Sequence, residues 1–284
     1  MNLSHLEGKT ALVTGAGSGI GQATALAFAR RGANLVLCDV DKQGLDQTAG
    51  RIESLKRGSV ISQVVDVARA DQMEDFAAFV HERVRAVDLL MNNAGVAIGG
   101  GFLDTSLEDW EWILGVNLRG VIHGCHYFVP KMVERGGGGH VINVASAAGY
   151  TATSELAAYC TTKFGVVGLS ESLRDELEGH GIGVTAICPG LINTPITRAA
   201  RMVGRDYTEA MRAEMIQTYE RRGYTPERVA RNILKAVEKN RAVAPIAAEA
   251  WALYYAKRLF PGLLARLARR ARLRNREKLG LPVV

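Results

Sequence analysis

Two residues with complementary proton chemistry, Tyr159 and Lys163, stand four positions apart in a segment whose apolar pattern predicts a helix. Side chains four residues apart on a helix lie on the same face. A free tyrosine, with a pKa of about 10, is a poor base at neutral pH, but a nearby ammonium favours the phenolate and lowers that pKa. The pair can therefore exchange a proton with an alcohol or a carbonyl oxygen.

The same spacing also occurs by chance in helices, most often as a surface pair, so the interpretation depends on the rest of the chain. Ser146 lies 13 residues before Tyr159, at the end of an apolar run that predicts a buried strand. Asn117 lies within a long helical pattern from Leu107 to Glu134, where a lone asparagine costs helix propensity. For Asn117 a satisfied buried amide is the simpler alternative to a functional role.

A glycine-rich turn, Gly15 to Gly21 (GAGSGIG), separates a short apolar run from a predicted helix, Gln22 to Arg31. In this strand–turn–helix context the glycines let the backbone approach a pyrophosphate, and the helix N-terminus offers free N–H groups. A plain tight turn is the alternative. The residues predicted to bind a dinucleotide in this turn are Gly15, Ser18, Gly19, Ile20 and Gly21.

Asp39 ends the second predicted strand, 18 residues after Gly21. Dinucleotide-binding folds place an acid about 20 residues on, where it binds the adenosine ribose hydroxyls. A carboxylate there would repel a 2′-phosphate. Position 18 is a serine rather than a basic residue, and Lys42 is the only cation near Asp39 in the sequence. The sequence therefore favours NAD over NADP as the cofactor.

Strand and helix patterns alternate along the 284 residues, which predicts an α/β, Rossmann-like doubly wound parallel sheet with helices on both faces. The predicted strands are Lys9–Thr14, Asn34–Cys38, Val60–Val65, Val87–Met91, His140–Ala145, Gly183–Cys188 and Arg241–Pro245. Ligands of such sheets bind beyond the carboxyl ends of the strands, where all these motifs lie. Asp66 and Val67 follow the third strand, where an adenine would lie. We expect a single dinucleotide-binding domain over residues 1–245, with residues 246–284 as a helical extension of it.

Composition argues against several classes of protein. No apolar run approaches the ~20 residues needed to span a bilayer, and the first eight residues contain no apolar signal core, so we expect a cytoplasmic protein. The four cysteines are far apart and lack the close spacing of a zinc or redox pair. We expect no metal.

The net charge of +6 is concentrated near the C-terminus, because nine Lys/Arg and one acid between Lys257 and Lys278 give +8 and leave −2 for the rest. An apolar series at helical spacing, broken at Pro261-Gly262, accompanies this charge: Trp251, Tyr254, Tyr255, Leu259, Leu263, Leu264 and Leu267. Such a basic amphipathic segment can lie on an anionic membrane or dock an acidic partner. We expect it instead to pack on its own protein or a sister subunit. No nucleic-acid recognition motif accompanies the charge.

The chain resembles the classical short-chain dehydrogenase/reductase family over roughly residues 6–245. Thr14-Gly15-x-x-x-Gly19-x-Gly21 resembles the family's cofactor turn, and Asn93-Ala94-Gly95 its strand-four motif, which steadies the sheet and flanks the cofactor. Asn117, Ser146, Tyr159 and Lys163 match the catalytic tetrad. Pro189, Gly190 and Thr194 match the segment at the nicotinamide end, where Ile192 is also expected to contact the cofactor.

This resemblance implies a mechanism. Ser146 would hydrogen-bond the substrate oxygen, and Tyr159 would take or give its proton. Lys163 would bind the nicotinamide ribose hydroxyls and lower the pKa of Tyr159, and Asn117 would hold a water that links Lys163 to solvent. Hydride would pass between the substrate carbon and the nicotinamide. The family also implies a homodimer or homotetramer, although the glycine-rich tail common in its tetramers is absent here.

The predicted substrate pocket is mostly apolar, which favours a hydrophobic, fairly bulky secondary alcohol or ketone that is steroid-like, aromatic or lipid-derived. Its predicted walls are Val96, Ile98, Phe102, Ala148, Tyr150, Leu191 and Ile192, with Met202, Tyr207, Met211 and Met215 from a segment, residues 195–222, that we interpret as a mobile flap. Plain packing of this methionine-rich segment is the alternative. Two alternatives remain. One is an NADPH-dependent 3-oxoacyl thioester reductase whose acidic carrier protein would suit the basic arm. The other is a cofactor-sensing regulator without turnover.

Overall fold

The computed structural model describes residues 3–204 and 208–278, without the side chains of residues 210, 211, 271, 272 and 275–278. Its strands are β1 (Thr10–Thr14), β2 (Asn34–Asp39), β3 (Val60–Val64), β4 (Leu89–Asn92), β5 (Ile98–Gly99), β6 (Gly139–Val144), β7 (Ile182–Pro189), β8 (Arg201–Met202) and β9 (Val243–Ile246). Its helices are α1 (Gly19–Ala29), α2 (Lys42–Glu53), α3 (Ala70–His81), α4 (Leu107–Leu114), α5 (Gly120–Arg135), α6 (Ala157–Leu177), α7 (Pro195–Ala199), α8 (Glu209–Arg222), α9 (Pro226–Glu238), α10 (Ala248–Leu259) and α11 (Pro261–Lys278).

Seven of the strands form one parallel sheet in the order β3-β2-β1-β4-β6-β7-β9. Successive side chains of a strand point to opposite faces of a sheet. Ala11 and Val13 of β1 accordingly join one core with α1, α2 and α9, whereas Leu12 joins a second core with α3, α5 and α6. The predicted doubly wound sheet is confirmed. All seven predicted strands are present, with ends shifted by no more than two residues.

Of two helical segments, one differs from the prediction and the other agrees with it. The long predicted helix from Leu107 to Glu134 is interrupted by a π-helical turn, Gly115–Arg119, which contains Asn117. Such turns are frequent at functional sites. The C-terminal extension forms two helices, and the predicted break is confirmed because α10 ends at Leu259 and α11 begins at Pro261. No helix in the described ranges is long and apolar enough to cross a membrane.

The segment predicted as a flap is tied to the body of the protein. Its strand β8 pairs with β5 in a small second sheet, Ile98 opposite Arg201 and Gly99 opposite Met202. The guanidinium of Arg201 also stacks on the Trp112 ring, 3.7 Å from its centroid. The start of α9 is as predicted, since Thr225 caps the helix by accepting a hydrogen bond from Arg228 N and Pro226 occupies its first turn.

A buried histidine lies in the core, away from the sequence motifs. His140 of β6 is 2% exposed, and its Nε2 lies 2.8 Å from Thr185 Oγ1. The Thr185 hydroxyl donates its hydrogen to Arg241 O at 2.6 Å, so it accepts from His140, which fixes the proton on Nε2. Burial lowers the pKa of His140 from 6.5 to about 3. His140 is therefore neutral in the folded protein at all but strongly acidic pH.

This histidine predicts a specific acid lability. Between pH 6.5 and 3 the unfolded chain binds a proton at His140 and the folded protein does not, so the free energy of unfolding falls as the pH drops, with a slope of up to ~1.4 kcal/mol per unit. His140→Gln keeps an N–H donor for Thr185 but cannot titrate. Denaturant unfolding at pH 7 and pH 4 should show a pH-dependent loss about 3 kcal/mol smaller in this variant than in the native protein.

The matched control is His180→Gln, at an exposed position, which should keep the native pH dependence. If His140→Gln and the native protein lose equal stability between the two pH values, the buried neutral state of His140 is refuted.

Candidate active site

The site begins where β1 and β4 end side by side. Thr14 Oγ1 accepts hydrogen bonds from Asn93 N at 2.9 Å and Ala94 N at 3.1 Å. In return, Asn93 Nδ2 donates to Thr14 O at 2.9 Å and to Gly15 O at 3.0 Å. Four hydrogen bonds thus join the two strand ends. The Asn93-Ala94-Gly95 motif therefore stabilises this part of the sheet, as the family resemblance implied.

The glycine turn is shaped by what it packs against. Gly15 has φ +64°, and a β-carbon there would lie 2.7 Å from Ala94 Cα. A β-carbon at Gly21 would overlap Gly15 O and crowd Asn93 Nδ2. Ser18 precedes α1 without capping it through its side chain, so the first N–H groups of α1 have no side-chain acceptor there. A helix N-terminus with free N–H groups and a favourable dipole suits a pyrophosphate.

Asp39 is fixed over this turn. Its Oδ2 accepts from Gly17 N at 2.7 Å and its Oδ1 from Asp41 N at 2.9 Å, so the carboxylate is oriented by main-chain donors while each oxygen keeps a free lone pair. Lys42 donates to Asp46 at 2.6 Å. The cation nearest to Asp39 in the sequence therefore has an acidic partner of its own.

The cavity extends to Asp66 and Val67, the residues predicted to lie beside an adenine, and both line it. Asp66 Oδ1 accepts from Ala68 N at 2.9 Å, which turns the chain after β3. Val67 packs against Gly120, where a β-carbon would lie 2.7 Å from Val67 Cγ2. These contacts place the segment after β3 beside the start of α5.

Lys163 is the electrostatic centre of the catalytic end. It is 3% exposed, and its Nζ donates to Val144 O at 2.9 Å, at the end of β6. Burial lowers the pKa of Lys163 to about 8. An ammonium has three donors, so two remain after the bond to Val144. Because Lys163 also lines the cavity, these donors can bind hydroxyl groups of a ligand.

Tyr159 and Ser146 both line this cavity. Burial raises the pKa of Tyr159 to about 12, and the nearby Ser146 hydroxyl opposes that rise. The predicted lowering of this pKa by Lys163 is therefore not what the structure shows. Lys163 Nζ is bonded to Val144 and lies 5.7 Å from the Tyr159 ring centroid, so desolvation outweighs its attraction for a phenolate. The protonated phenol suits Tyr159 as a proton donor at neutral pH.

Asn117 is fully buried and does not line the cavity. Its Oδ1 accepts from Val96 N at 2.8 Å, and its Nδ2 donates to Val96 O at 2.9 Å and to Thr162 Oγ1 at 3.2 Å. The side chain thus pairs with the N–H and C=O groups of Val96 as a neighbouring strand would. Its bond to Thr162 also connects Val96 to α6, one turn from Tyr159. These bonds occupy the amide, so the structure supports a positioning role for Asn117.

These groups border one continuous cavity of about 1110 Å³. Of the predicted cofactor contacts it is lined by Gly15, Ser18, Gly19, Ile20, Asp39, Asp66, Val67, Asn93, Ala94, Gly95, Tyr159, Lys163, Pro189, Gly190, Ile192 and Thr194; of the predicted substrate contacts by Val96, Ile98, Ala148, Leu191, Met202 and Met215. Gly21 lies behind this lining, where it shapes the turn.

Two predicted pocket residues, Phe102 and Tyr150, do not line the cavity, and two others are not described. Phe102 is 65% exposed and packs on Trp110 rather than lining the cavity. Tyr150 turns away from the cavity, because its hydroxyl donates to Ala250 O at 2.7 Å and its ring packs on Tyr254. Tyr207 and the side chain of Met211 lie outside the described residues.

The C-terminal extension supplies part of the cavity wall that the sequence did not predict. Glu249 and Leu253 of α10 line the cavity, as do Tyr219 and Arg222 of α8. Glu249 Oε1 accepts from Leu191 N at 3.2 Å, and Glu249 also pairs with Arg222. One signal was available: Glu249 is the only acid between residues 239 and 276, in an otherwise apolar and basic stretch.

A family model for short chain dehydrogenases matches residues 9–203 of this chain. The chain belongs to the short-chain dehydrogenase/reductase family. The cradle of Gly15, Gly19 and Asp39 fits the nicotinamide dinucleotide that such oxidoreductases use, because the N-terminus of α1 and the oriented Asp39 carboxylate line the same cavity. In the described part of the chain no group of three or more His, Cys, Asp or Glu residues could hold a metal ion.

Relatives of this short-chain dehydrogenase/reductase include long and short proteins. The chain is 42% identical over 261 residues to the probable oxidoreductase EphD of Mycobacterium tuberculosis, covering 90% of this chain but 44% of EphD, so it spans less than half of that relative. It is 34% identical over 269 residues to the M. tuberculosis protein SadH, covering 93% of this chain and 95% of SadH. A short chain dehydrogenase/reductase from Burkholderia phymatum, in complex with NAD, matches with a TM-score of 0.79 and 30% identity over 100% of this chain and 98% of that one.

The packing of the glycine turn predicts a selective defect in cofactor binding. Gly21→Ala places a β-carbon against Gly15 O and should shift the turn. We expect the Kd for a nicotinamide dinucleotide to rise about 10- to 100-fold, equivalent to the 1–3 kcal/mol typical of an overpacked site. Fluorescence titration or calorimetry measures it.

Gly50→Ala is the matched control, because this glycine lies in α2 with open space around its Cα and should leave the Kd unchanged. An unchanged Kd in folded Gly21→Ala protein would show that the close packing of the turn does not govern cofactor binding.

Proposed function

We propose that the protein is an NAD-dependent oxidoreductase that transfers hydride between the nicotinamide and a hydrophobic, fairly bulky secondary alcohol or ketone. The observation that carries the proposal is the single cavity that joins Asp39 at one end to Ser146, Tyr159 and Lys163 at the other. Steroid-like, aromatic and lipid-derived alcohols are the substrate classes that fit.

The preference for NAD rests on the surroundings of Asp39. Its carboxylate is held in place by two main-chain N–H groups and faces the cavity with free lone pairs, which suits a pair of ribose hydroxyls. A 2′-phosphate would meet that fixed negative charge. Lys42 is paired with Asp46, and Arg119, which also lines the cavity, is paired with Glu111, so neither cation is free to compensate.

The preference for an apolar substrate rests on the walls at the catalytic end. Val96, Ile98, Leu191, Met202 and Met215 present carbon and sulfur to the cavity. The charged pair there, Arg222 with Glu249, is internally neutral and so offers no net charge to attract an anionic substrate. Burial of apolar surface is then the main source of substrate affinity, at about 25 cal/mol per Å².

Each polar residue of the site has a separate proposed role. Ser146 hydrogen-bonds the substrate oxygen, and Tyr159 gives it a proton in reduction or takes one in oxidation. Lys163, anchored on Val144 O, donates to the ribose hydroxyls of the nicotinamide side, and Asn117 fixes the Val96 main chain and α6 beneath them. When bound, the nicotinamide cofactor accepts or supplies the hydride. We retain a homodimer or homotetramer and a cytoplasmic location as predictions.

The substrate assignment is tested by initial rates of NADH and NADPH formation over secondary alcohols of increasing bulk. Rates that rise with apolar bulk and favour NAD support the proposal. A preference for small anionic hydroxy acids would defeat it, and turnover of 3-oxoacyl thioesters with NADPH would establish the reductase alternative. Cofactor binding without turnover of any such substrate would favour the sensing alternative.

The role of Tyr159 predicts a loss of chemistry without a loss of binding. Tyr159→Phe removes the hydroxyl and should lower kcat about 10²- to 10⁴-fold, the usual contribution of a general acid, while the Kd of the cofactor stays unchanged. Tyr150→Phe is the matched control and should retain activity, because that hydroxyl binds Ala250 O outside the cavity. Undiminished turnover in Tyr159→Phe would remove Tyr159 from the mechanism.

The charge of Asp39 predicts the cofactor preference. Asp39→Asn keeps the shape and a carbonyl acceptor but removes the negative charge, so the ratio of kcat/KM for NAD to that for NADP should fall by about tenfold or more, equivalent to 1.4 kcal/mol. Asp41→Asn removes an exposed charge two residues away and should leave the ratio as it is. Equal ratios in both variants would mean that the Asp39 charge does not select the cofactor.

A further inference from the structure

The last helix leaves the body of the protein. The main neighbour of α11 is α10, the helix just before it in the chain. Among residues 261–270, 273 and 274, whose side chains are described, only Leu264 and Leu273 are half-buried and the others are exposed. The expectation was packing on its own protein or on a sister subunit. These α11 residues pack little on their own body, and packing on a sister subunit stays a prediction, whereas α10 does pack on the body through Tyr150 and Glu249.

A ridge of large apolar side chains is left in solvent at the junction of the two helices. Leu259, Phe260, Leu263 and Leu267 are 65%, 60%, 55% and 52% exposed. Leu263 and Leu267 are four residues apart and lie on one face of α11, whereas Leu259 ends α10 and Phe260 lies in the break between the two helices. We call these four residues the apolar ridge.

Positive charge flanks this ridge. Arg266, Arg269, Arg270 and Arg274 are exposed, and none of them has an ion-pair partner among the described residues. No acid occurs in the sequence between Glu249 and Glu277. At 100° per residue, the α11 leucines 263, 264 and 267 span an arc of about 100°, and Arg266, Arg269 and Arg270 span a separate arc of about 100°, whereas Arg274 projects within the leucine arc further along the helix.

We propose that α11 and the end of α10 form a docking surface for an anionic lipid bilayer. A helix of this kind lies in the plane of the interface, with its apolar side chains among the acyl chains and its basic side chains among the headgroups. Arginine suits this position because its long apolar stem follows the helix while the guanidinium reaches the phosphates. The bilayer supplies both an apolar phase and negative charge, which the ridge and the arginines match.

The other occupants fit less well. In a symmetric dimer through this surface the same patch faces itself, so segments that each carry +8 would be brought together. The rest of a sister subunit carries −2, which offers little complementary charge. An acidic protein would meet the charge, but it would have to provide an apolar groove matched to four side chains, whereas a bilayer needs no such shape.

The test is flotation of the full-length protein with vesicles of phosphatidylcholine, with or without phosphatidylglycerol, in the absence of cofactor and substrate. We expect binding only to the anionic vesicles, and release as NaCl is raised. Arg266→Gln, Arg269→Gln and Arg270→Gln together should weaken binding on the order of 100-fold, since each basic residue near an anionic surface contributes a factor of about five. Leu263→Ser with Leu267→Ser should also weaken it.

Two controls match these variants in number and kind of change. Arg231→Gln, Lys235→Gln and Lys239→Gln remove three exposed charges at α9, and Leu103→Ser with Leu107→Ser remove two exposed leucines elsewhere. Both should bind vesicles like the native protein. Because α11 contacts little of the body, the α11 variants should keep the native unfolding transition.

Equal binding to neutral vesicles, no binding to anionic vesicles, or binding that survives both α11 variants would overturn the proposal. Light scattering identifies the rival: a fall in mass on changing Leu263 and Leu267 would assign the ridge to a second copy of the chain. Since the assay contains no substrate, it stands or fails independently of the proposed oxidoreductase reaction.

Discussion

The hydrogen bonds between Thr14 and Asn93 are the constraint on which the site depends. They hold the ends of β1 and β4 together, so the glycine turn and the residues after β4 cannot move independently. From Asn93 the chain runs directly to Val96, whose main chain is gripped by Asn117, and Asn117 also bonds Thr162 on α6. Thr162 donates to Tyr159 O. A short series of contacts thus connects the glycine turn to Tyr159. The positions of the proposed cofactor site and the proposed proton donor therefore depend on each other.

Burial of Lys163 is the second requirement, and it has a cost. An ammonium with 3% exposure loses most of its hydration, and the fall of its pKa to about 8 expresses that loss. A single protein acceptor, Val144 O, compensates in part. A ligand that offers hydroxyl oxygens to the remaining donors would stabilise the charged form, so cofactor binding and the charge of Lys163 are thermodynamically linked. Burial also raises the pKa of Tyr159, so its phenol stays protonated at neutral pH.

The fold and the cofactor cradle could be predicted from the sequence because their signals are local. Alternating strand and helix patterns fix the parallel sheet, and parallel strands bring their carboxyl ends, with Gly15, Asp39 and Ser146, to one edge. The placement of Tyr150 and Phe102 failed for a different reason. Each follows a motif residue closely in sequence, but its direction is set by a partner in another element, α10 for Tyr150 and Trp110 of α4 for Phe102. The hydrogen bonds of Asn117 with Val96 and Thr162, and of Glu249 with Leu191, join residues that are far apart in the chain. The high pKa of Tyr159 could not be predicted either, since the four-residue spacing gives proximity to Lys163 but not the degree of burial.

The extension joins two properties of the molecule that the sequence presents separately. Its first helix belongs to the active site, because Glu249 bonds the Leu191 main chain and Leu253 lines the cavity. Within ten residues of Leu253 the chain reaches Leu259, Phe260 and Leu263 of the exposed ridge. An α-helix rises 1.5 Å per residue, so the cavity wall and the ridge are separated by only about 15 Å of chain. A bilayer that held the ridge would therefore hold the substrate end of the cavity within reach of its surface. For an enzyme with an apolar cavity, that position shortens the passage of a poorly soluble alcohol through water. Under the two proposals, the apolar walls and the basic helix would both serve a substrate that partitions into lipid.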